Sequence, residues 1–177
     1  KNYSLRSHFS LSNALSLEGA IVRYDELSEE LKGVSFEFFY WFSRFEFVLK
    51  ENGFLKSEAP GAKAEPSWEK FRERYKEEYQ ATAEAKSLIG LHPKRQVVSE
   101  YNQLVWKPIG IEHCNNDLCR VIAMLTTVRN NLFHGGKHGD LEVDDINRNM
   151  SLLSLGKQVL DQLAEQFGYE GDYKRHY

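Results

Sequence analysis

Cysteine, proline and unbroken apolar sequence are all scarce in this chain, and each scarcity excludes something. Two cysteines cannot build the disulfide lattice that holds small extracellular domains together. Four prolines, thinly spread, leave long stretches in which helices run without interruption. No apolar run is long enough to span a bilayer and no signal-peptide pattern is read, so no membrane role is expected. The chain opens at Lys1 rather than at a methionine, which leaves room for residues ahead of it. An excess of positive charge is also missing: 23 Lys and Arg stand against 26 Asp and Glu, for a net charge of -3 and a pI near 6.1. A surface coated in positive charge to grip nucleic acid non-specifically is thereby excluded, although a local basic cleft is not.

The two cysteines, Cys114 and Cys119, are five residues apart in what reads as one helix. They would point to different faces, so a disulfide is not expected, and two free thiols fit a reducing, cytoplasmic setting. A zinc site assembled from His113, Cys114, Cys119 and His134 matches no usual ligand spacing. No metal and no cofactor are expected.

What the chain does have is enough for one sizeable domain. Its 177 residues are 41% apolar, 28% charged and 13% aromatic, which is an ordinary globular balance. Residues 1–16 are polar and read as an N-terminal arm. Residues 17–170 read as a single all-α domain of four to five helices, and 171–177 as a polar, frayed C-terminal tail. Ile21, Tyr24, Leu27 and Leu31 mark a first helix that Gly33 interrupts. Val34 to Glu51, crowded with Phe, Tyr and Trp, reads as a helix buried on most faces and stopped by Asn52-Gly53. A loop covers 54–66, and Ser67 caps a charged helix over 68–86 with a stripe of Trp68, Phe71, Tyr75 and Tyr79. That stripe is read as an ordinary amphipathic face, with RNA stacking as the rival role. Residues 87–112 are irregular, broken at His92-Pro93 and Pro108-Ile109-Gly110. A long helix from about 115 to 133 follows, stopped by Gly135-Gly136, and a last helix starts after the acidic stretch 140–145.

The chemistry concentrates in Val128-Arg129-Asn130-Asn131-Leu132-Phe133-His134-Gly135-Gly136. Arginine presents a rigid fork of donors that matches a phosphate, and histidine moves protons near neutral pH. On a regular helix Arg129 and His134 are rotated apart by about 140°. They converge only if the helix unwinds at His134 or if a second copy of the chain faces the first across a two-fold axis. The set suits RNA cleavage by attack of a 2′-OH on the adjacent phosphorus. Histidine acts as base or acid. Arginine stabilises the charge on the phosphorane-like state. Asn130 orients the phosphate or the imidazole, and no metal is required. Read as structure alone, Arg129 pairs with a carboxylate elsewhere and His134 caps the helix.

This run resembles the R-x4-6-H motif of HEPN domains, in the form with a polar residue directly after the arginine. The apolar helix leading into it is similar too. Phe42-Ser43-Arg44-Phe45-Glu46-Phe47-Val48-Leu49-Lys50 is similar to an early HEPN helix that carries a glutamate aimed at the site. The resemblance spans about 34 to 167. It implies an all-α, homodimeric, metal-independent endoribonuclease of toxin–antitoxin or antiviral defence type, with RNA as substrate and an antitoxin or regulatory protein as a possible partner. It also implies that Arg129 and His134 are the catalytic pair and Asn130 the polar helper. Glu46 would orient Arg129 or His134, or else pair with Arg44 or Lys50 for structure alone. Where some relatives carry a tyrosine that an antitoxin modifies, two residues after the histidine, this chain has Gly136, which argues against that mode of control. Lys137 and His138 add positive charge just past the motif, as flanking-phosphate contacts or as loop residues; Lys94-Arg95 and Lys174-Arg175-His176 are weaker basic spots. Two other readings stand beside the nuclease. One is a non-catalytic HEPN module that binds RNA, a nucleotide or a protein. The other is a helical interaction protein in which the motif is accidental.

Overall fold

The computed structural model describes residues 27–134 and 145–175, with the side chains of Phe133 and His134 outside that description. The proposed arm, the helix start before Leu27, Gly135-Gly136, Lys137, His138 and His176 lie outside the described residues. The described chain is mostly helical with one small two-stranded sheet. Among these residues no helix is long and apolar enough to cross a membrane.

Helix α1, Glu29–Glu51, opens at Ser28, whose hydroxyl accepts from the Leu31 amide. Glu29 and Glu30 occupy its positive first turn. With that start secured, the helix runs straight through Gly33, contrary to the expected break; one glycine costs only about 1 kcal/mol against alanine. Nor is α1 buried on most faces. Leu31, Phe38, Phe42, Phe45, Val48 and Leu49 form one buried stripe, while Phe36, Phe39 and Tyr40 are exposed. Aromatic density overstated burial because steps of three and four select only one side of a helix.

The expected single helix over 68–86 is two. Helix α2, Trp68–Tyr75, is capped by Ser67, and helix α3, Ala83–Gly90, by Thr82. Between them, Gln162 and Gln166 donate to the carbonyls of Gln80 and Glu78 at 3.0 and 3.2 Å. Those side-chain bonds replace the helical ones. The aromatic stripe becomes core: Phe71 is fully buried, Trp68 stacks on Phe45, and Tyr75 stacks on Phe167.

The all-α expectation fails at 94–108. Strands β1, Lys94–Val98, and β2, Leu104–Pro108, pair antiparallel with Val97 opposite Val105 and Gln96 opposite Trp106. Asn102 takes a φ of 56° in the connecting turn, a left-handed geometry that asparagine tolerates. The two proline breaks bracket this hairpin.

Helix α4, Asp117–His134, and helix α5, Ile146–Gln166, complete the core with α1. Asp145 caps α5 by accepting from the Asn147 and Arg148 amides. At the α1–α5 contact stands Gly156, where an added Cβ would meet Phe38 at 2.6 Å. The short helix α6, Glu170–Tyr173, corrects the expected frayed tail. Tyr173 is fully buried, and its hydroxyl donates to Asp161 at 3.1 Å. Buried Arg44 donates to the carbonyls of Tyr173 and Asp172, which accounts for an arginine in so aromatic a helix. Burial, reinforced by the Asp161 carboxylate, pushes the Tyr173 phenol well above its usual range.

Candidate functional site

The apolar stripe of α4, Leu118, Val121, Leu125 and Val128, is buried in the core, and this sets the rotation of the residues between. Arg129 is thereby turned towards α1 and Asn130 outwards. The Arg129 guanidinium is held on three sides. Its Nη2 lies 3.6 Å from Glu46 Oε1, its Nη1 donates to Asn130 Oδ1 at 2.9 Å, and its Cζ stands 5.4 Å from the Phe42 ring centroid. Glu46 is fixed in turn by the Trp68 indole, which donates to the same Oε1 at 3.3 Å. The Arg129 side chain keeps 34% of its surface exposed and Glu46 keeps 24%. An ion pair this open contributes under about 1 kcal/mol, so its consequence is the direction of the guanidinium rather than stability.

Of the two roles open to Glu46, the geometry therefore brings it to Arg129, with Trp68 as its second partner. The α4 backbone stays helical to His134. Positions 129 and 134 thus remain about 140° apart around one axis. The His134 side chain and Lys137 lie outside the described residues.

The second asparagine has a different task. Asn131 donates to the Lys94 carbonyl at 2.7 Å and ties the hairpin to α4. Between hairpin and helix lies a polar groove of about 290 Å³, lined by Arg95, Gly110, His113, Thr127, Asn130 and Asn131 among others. Asn130 borders the groove and also binds Arg129. The sequence places Arg95 only among weak basic spots and His113 only in a zinc set. The missing signal is the hairpin, since a strand at 94–98 tied to α4 lets Arg95 border the groove. Chemically the groove offers a guanidinium, an imidazole, two hydroxyls and two amides, a set suited to a polar or anionic ligand.

The cysteine expectation is overturned. Cys114 and Cys119 are disulfide-bonded, with Cα atoms 5.4 Å apart. The reason is local. Helix α4 starts at Asp117, so Cys114 sits in the turn ahead of it and is bent back over the first helical turn. On one continuous helix the two sulfurs would have diverged. No protein-family model, curated protein or solved structure matches this chain.

Proposed function

We propose that this chain is a metal-independent endoribonuclease of HEPN type, acting as a homodimer and serving as a toxin or defence effector. Arg129 binds and stabilises the scissile phosphate, His134 transfers protons, Asn130 orients, and Glu46 positions Arg129. The observation that carries this reading is the Arg129 guanidinium, aimed by Glu46, Asn130 and Phe42 yet one-third open to solvent. The helical course of α4 to its end supports the two-copy arrangement, because one chain keeps positions 129 and 134 splayed. The groove beside Asn130, with Arg95 and His113, suits the neighbouring strand of RNA. An antitoxin or regulatory protein is the natural further partner of such an enzyme.

One observation favours a second reading, a non-catalytic HEPN-type module. The same groove can hold RNA, a nucleotide or a peptide without any chemistry at Arg129. Expression in growing cells separates the two. The nuclease reading expects growth arrest by the wild-type chain and none by Arg129→Ala or His134→Ala, each made at normal level with unchanged helical content. Equal growth of all three strains favours the binding module.

A further inference from the structure

We propose that, once its disulfide is reduced, the corner formed by His113, Cys114 and Cys119 is a three-ligand site for a zinc-class divalent cation. The three ligand atoms already lie within 4.8 Å of one another. His113 Nε2 stands 3.6 Å from Cys114 Sγ. Zn–S bonds of about 2.3 Å and Zn–N bonds of about 2.0–2.1 Å at tetrahedral angles put N and S ligands roughly 3.6 Å apart, so this span needs no adjustment. Only the two sulfurs, drawn together by their bond, must separate.

The cradle does not depend on that bond. The Cys114 amide donates to Ile111 O at 2.9 Å, and the Cys119 amide donates to Asn116 Oδ1 at 2.8 Å, which caps α4. Arg120 bridges the turn and the helix, donating to Cys114 O at 3.1 Å and to Asp117 Oδ1 at 2.7 Å. Negative charge on the freed Cys119 sulfur is supported from two sides. Arg72 Nη1 lies 3.9 Å from it, and it sits in the positive first turn of α4. Both cysteines are buried while His113 is exposed, so the cation enters from the imidazole side and retains a coordination position for water. Two thiolates and an imidazole select zinc over magnesium or calcium, which want oxygen.

The chemistry balances with a reductant of the dithiol class. Its two thiols deliver two electrons and two protons to the Cys114–Cys119 bond, which breaks to two thiols while the dithiol closes to its own disulfide. Zinc then displaces both thiol protons, forming two Zn–S bonds and one Zn–N bond. In function this makes the corner exchange a covalent staple for a metal as the redox setting changes.

The test uses the full chain, reduced with a phosphine so that the reductant does not compete for metal. Zinc is titrated against a chromophoric chelator, and cobalt is added separately as a spectroscopic probe. The expected result is one cation per chain, a cobalt–thiolate charge-transfer band, and neither in the oxidised chain or in the Cys114→Ser/Cys119→Ser variant. His113→Ala is expected to weaken zinc binding by more than about 100-fold, beyond the roughly 10- to 100-fold that loss of a supporting hydrogen bond costs. Zinc uptake no greater than that of the double-serine variant overturns the site, provided circular dichroism shows native helix in both. Unchanged affinity in His113→Ala overturns the three-ligand form. Loss of helical content on reduction also overturns it, because the cradle would then depend on the disulfide. The inference stands apart from the nuclease reading: EDTA strips this zinc, whereas RNA cleavage is expected to continue in EDTA.

Discussion

At the scale of single residues, the direction of Arg129 shows how far a side chain is placed by residues on other elements. Its direction comes from Glu46 on another helix, and the direction of Glu46 comes from the Trp68 indole on a third. Glu46→Gln keeps an acceptor for Trp68 and removes the charge that faces Arg129. Cleavage is expected to fall roughly 10- to 100-fold, the scale on which misplacing a catalytic group acts. Stability is expected to move by less than about 1 kcal/mol. The loss should fall on kcat rather than KM, and Glu46→Asp should restore part of it. Unaltered turnover by Glu46→Gln would remove the positioning role. Among single residues the resemblance named Arg129 as one of the partners open to Glu46, beside His134, Arg44 and Lys50, and the structure brings Glu46 to Arg129. The Trp68 indole on Glu46 was not legible, because helical spacing says which face a residue occupies but not which helix arrives there. The disulfide was missed for a related reason. Reading Cys114 and Cys119 on one helix carries Cys114 from the turn ahead of Asp117 onto that helix, where its sulfur points away from that of Cys119.

Whole helices were legible where an apolar stripe and a cap coincide, as in α4 and α5. They were misread where a distant side chain intervenes. Gln162 and Gln166 of α5 capture the carbonyls between α2 and α3, and nothing within residues 68–86 announces that. The hairpin escaped because its strands are five residues long and mix charge with β-branched residues. Contact between elements also carries a test. Helices α1 and α5 approach closely at Gly156, where a Cβ would stand 2.6 Å from Phe38 Cε2 in a fully buried ring. Gly156→Ala is expected to destabilise the fold by about 1–3 kcal/mol, as overpacking does, even though alanine is the better helix former. Urea denaturation followed by circular dichroism measures it. A stabilised variant would mean that α1 and α5 can part without cost.

For the molecule as a whole, the aromatic core ties the chain together through the buried Tyr173 and the half-buried Tyr79, and so predicts how it fails in alkali. Tyr173 and Tyr79 both have pKa values raised first by burial; the Asp161 carboxylate adds to the first, and a Gln162 hydrogen bond partly offsets the second. A folded-state pKa above the unfolded one means that the unfolded chain loses these protons first. The stability they contribute is complete below about pH 10 and declines as pH climbs above it. Tyr173→Phe is expected to lose about 1 kcal/mol at neutral pH with its hydrogen bond to Asp161. Its alkaline decline should also be shallower than that of the wild type. Denaturant midpoints between pH 8 and 12 give both numbers, and parallel declines would show that Tyr173 is not the group being titrated.

The nuclease proposal, too, belongs to the whole molecule, since it requires two copies of Arg129-Asn130-Asn131-Leu132-Phe133-His134 to cleave RNA without metal. Its decisive experiment is end-group analysis of RNA incubated in EDTA with the wild-type chain and with His134→Ala. The wild type is expected to leave 2′,3′-cyclic phosphate and 5′-hydroxyl ends, and the variant to leave the RNA intact. Undiminished cleavage by His134→Ala, or products with other ends, would contradict it.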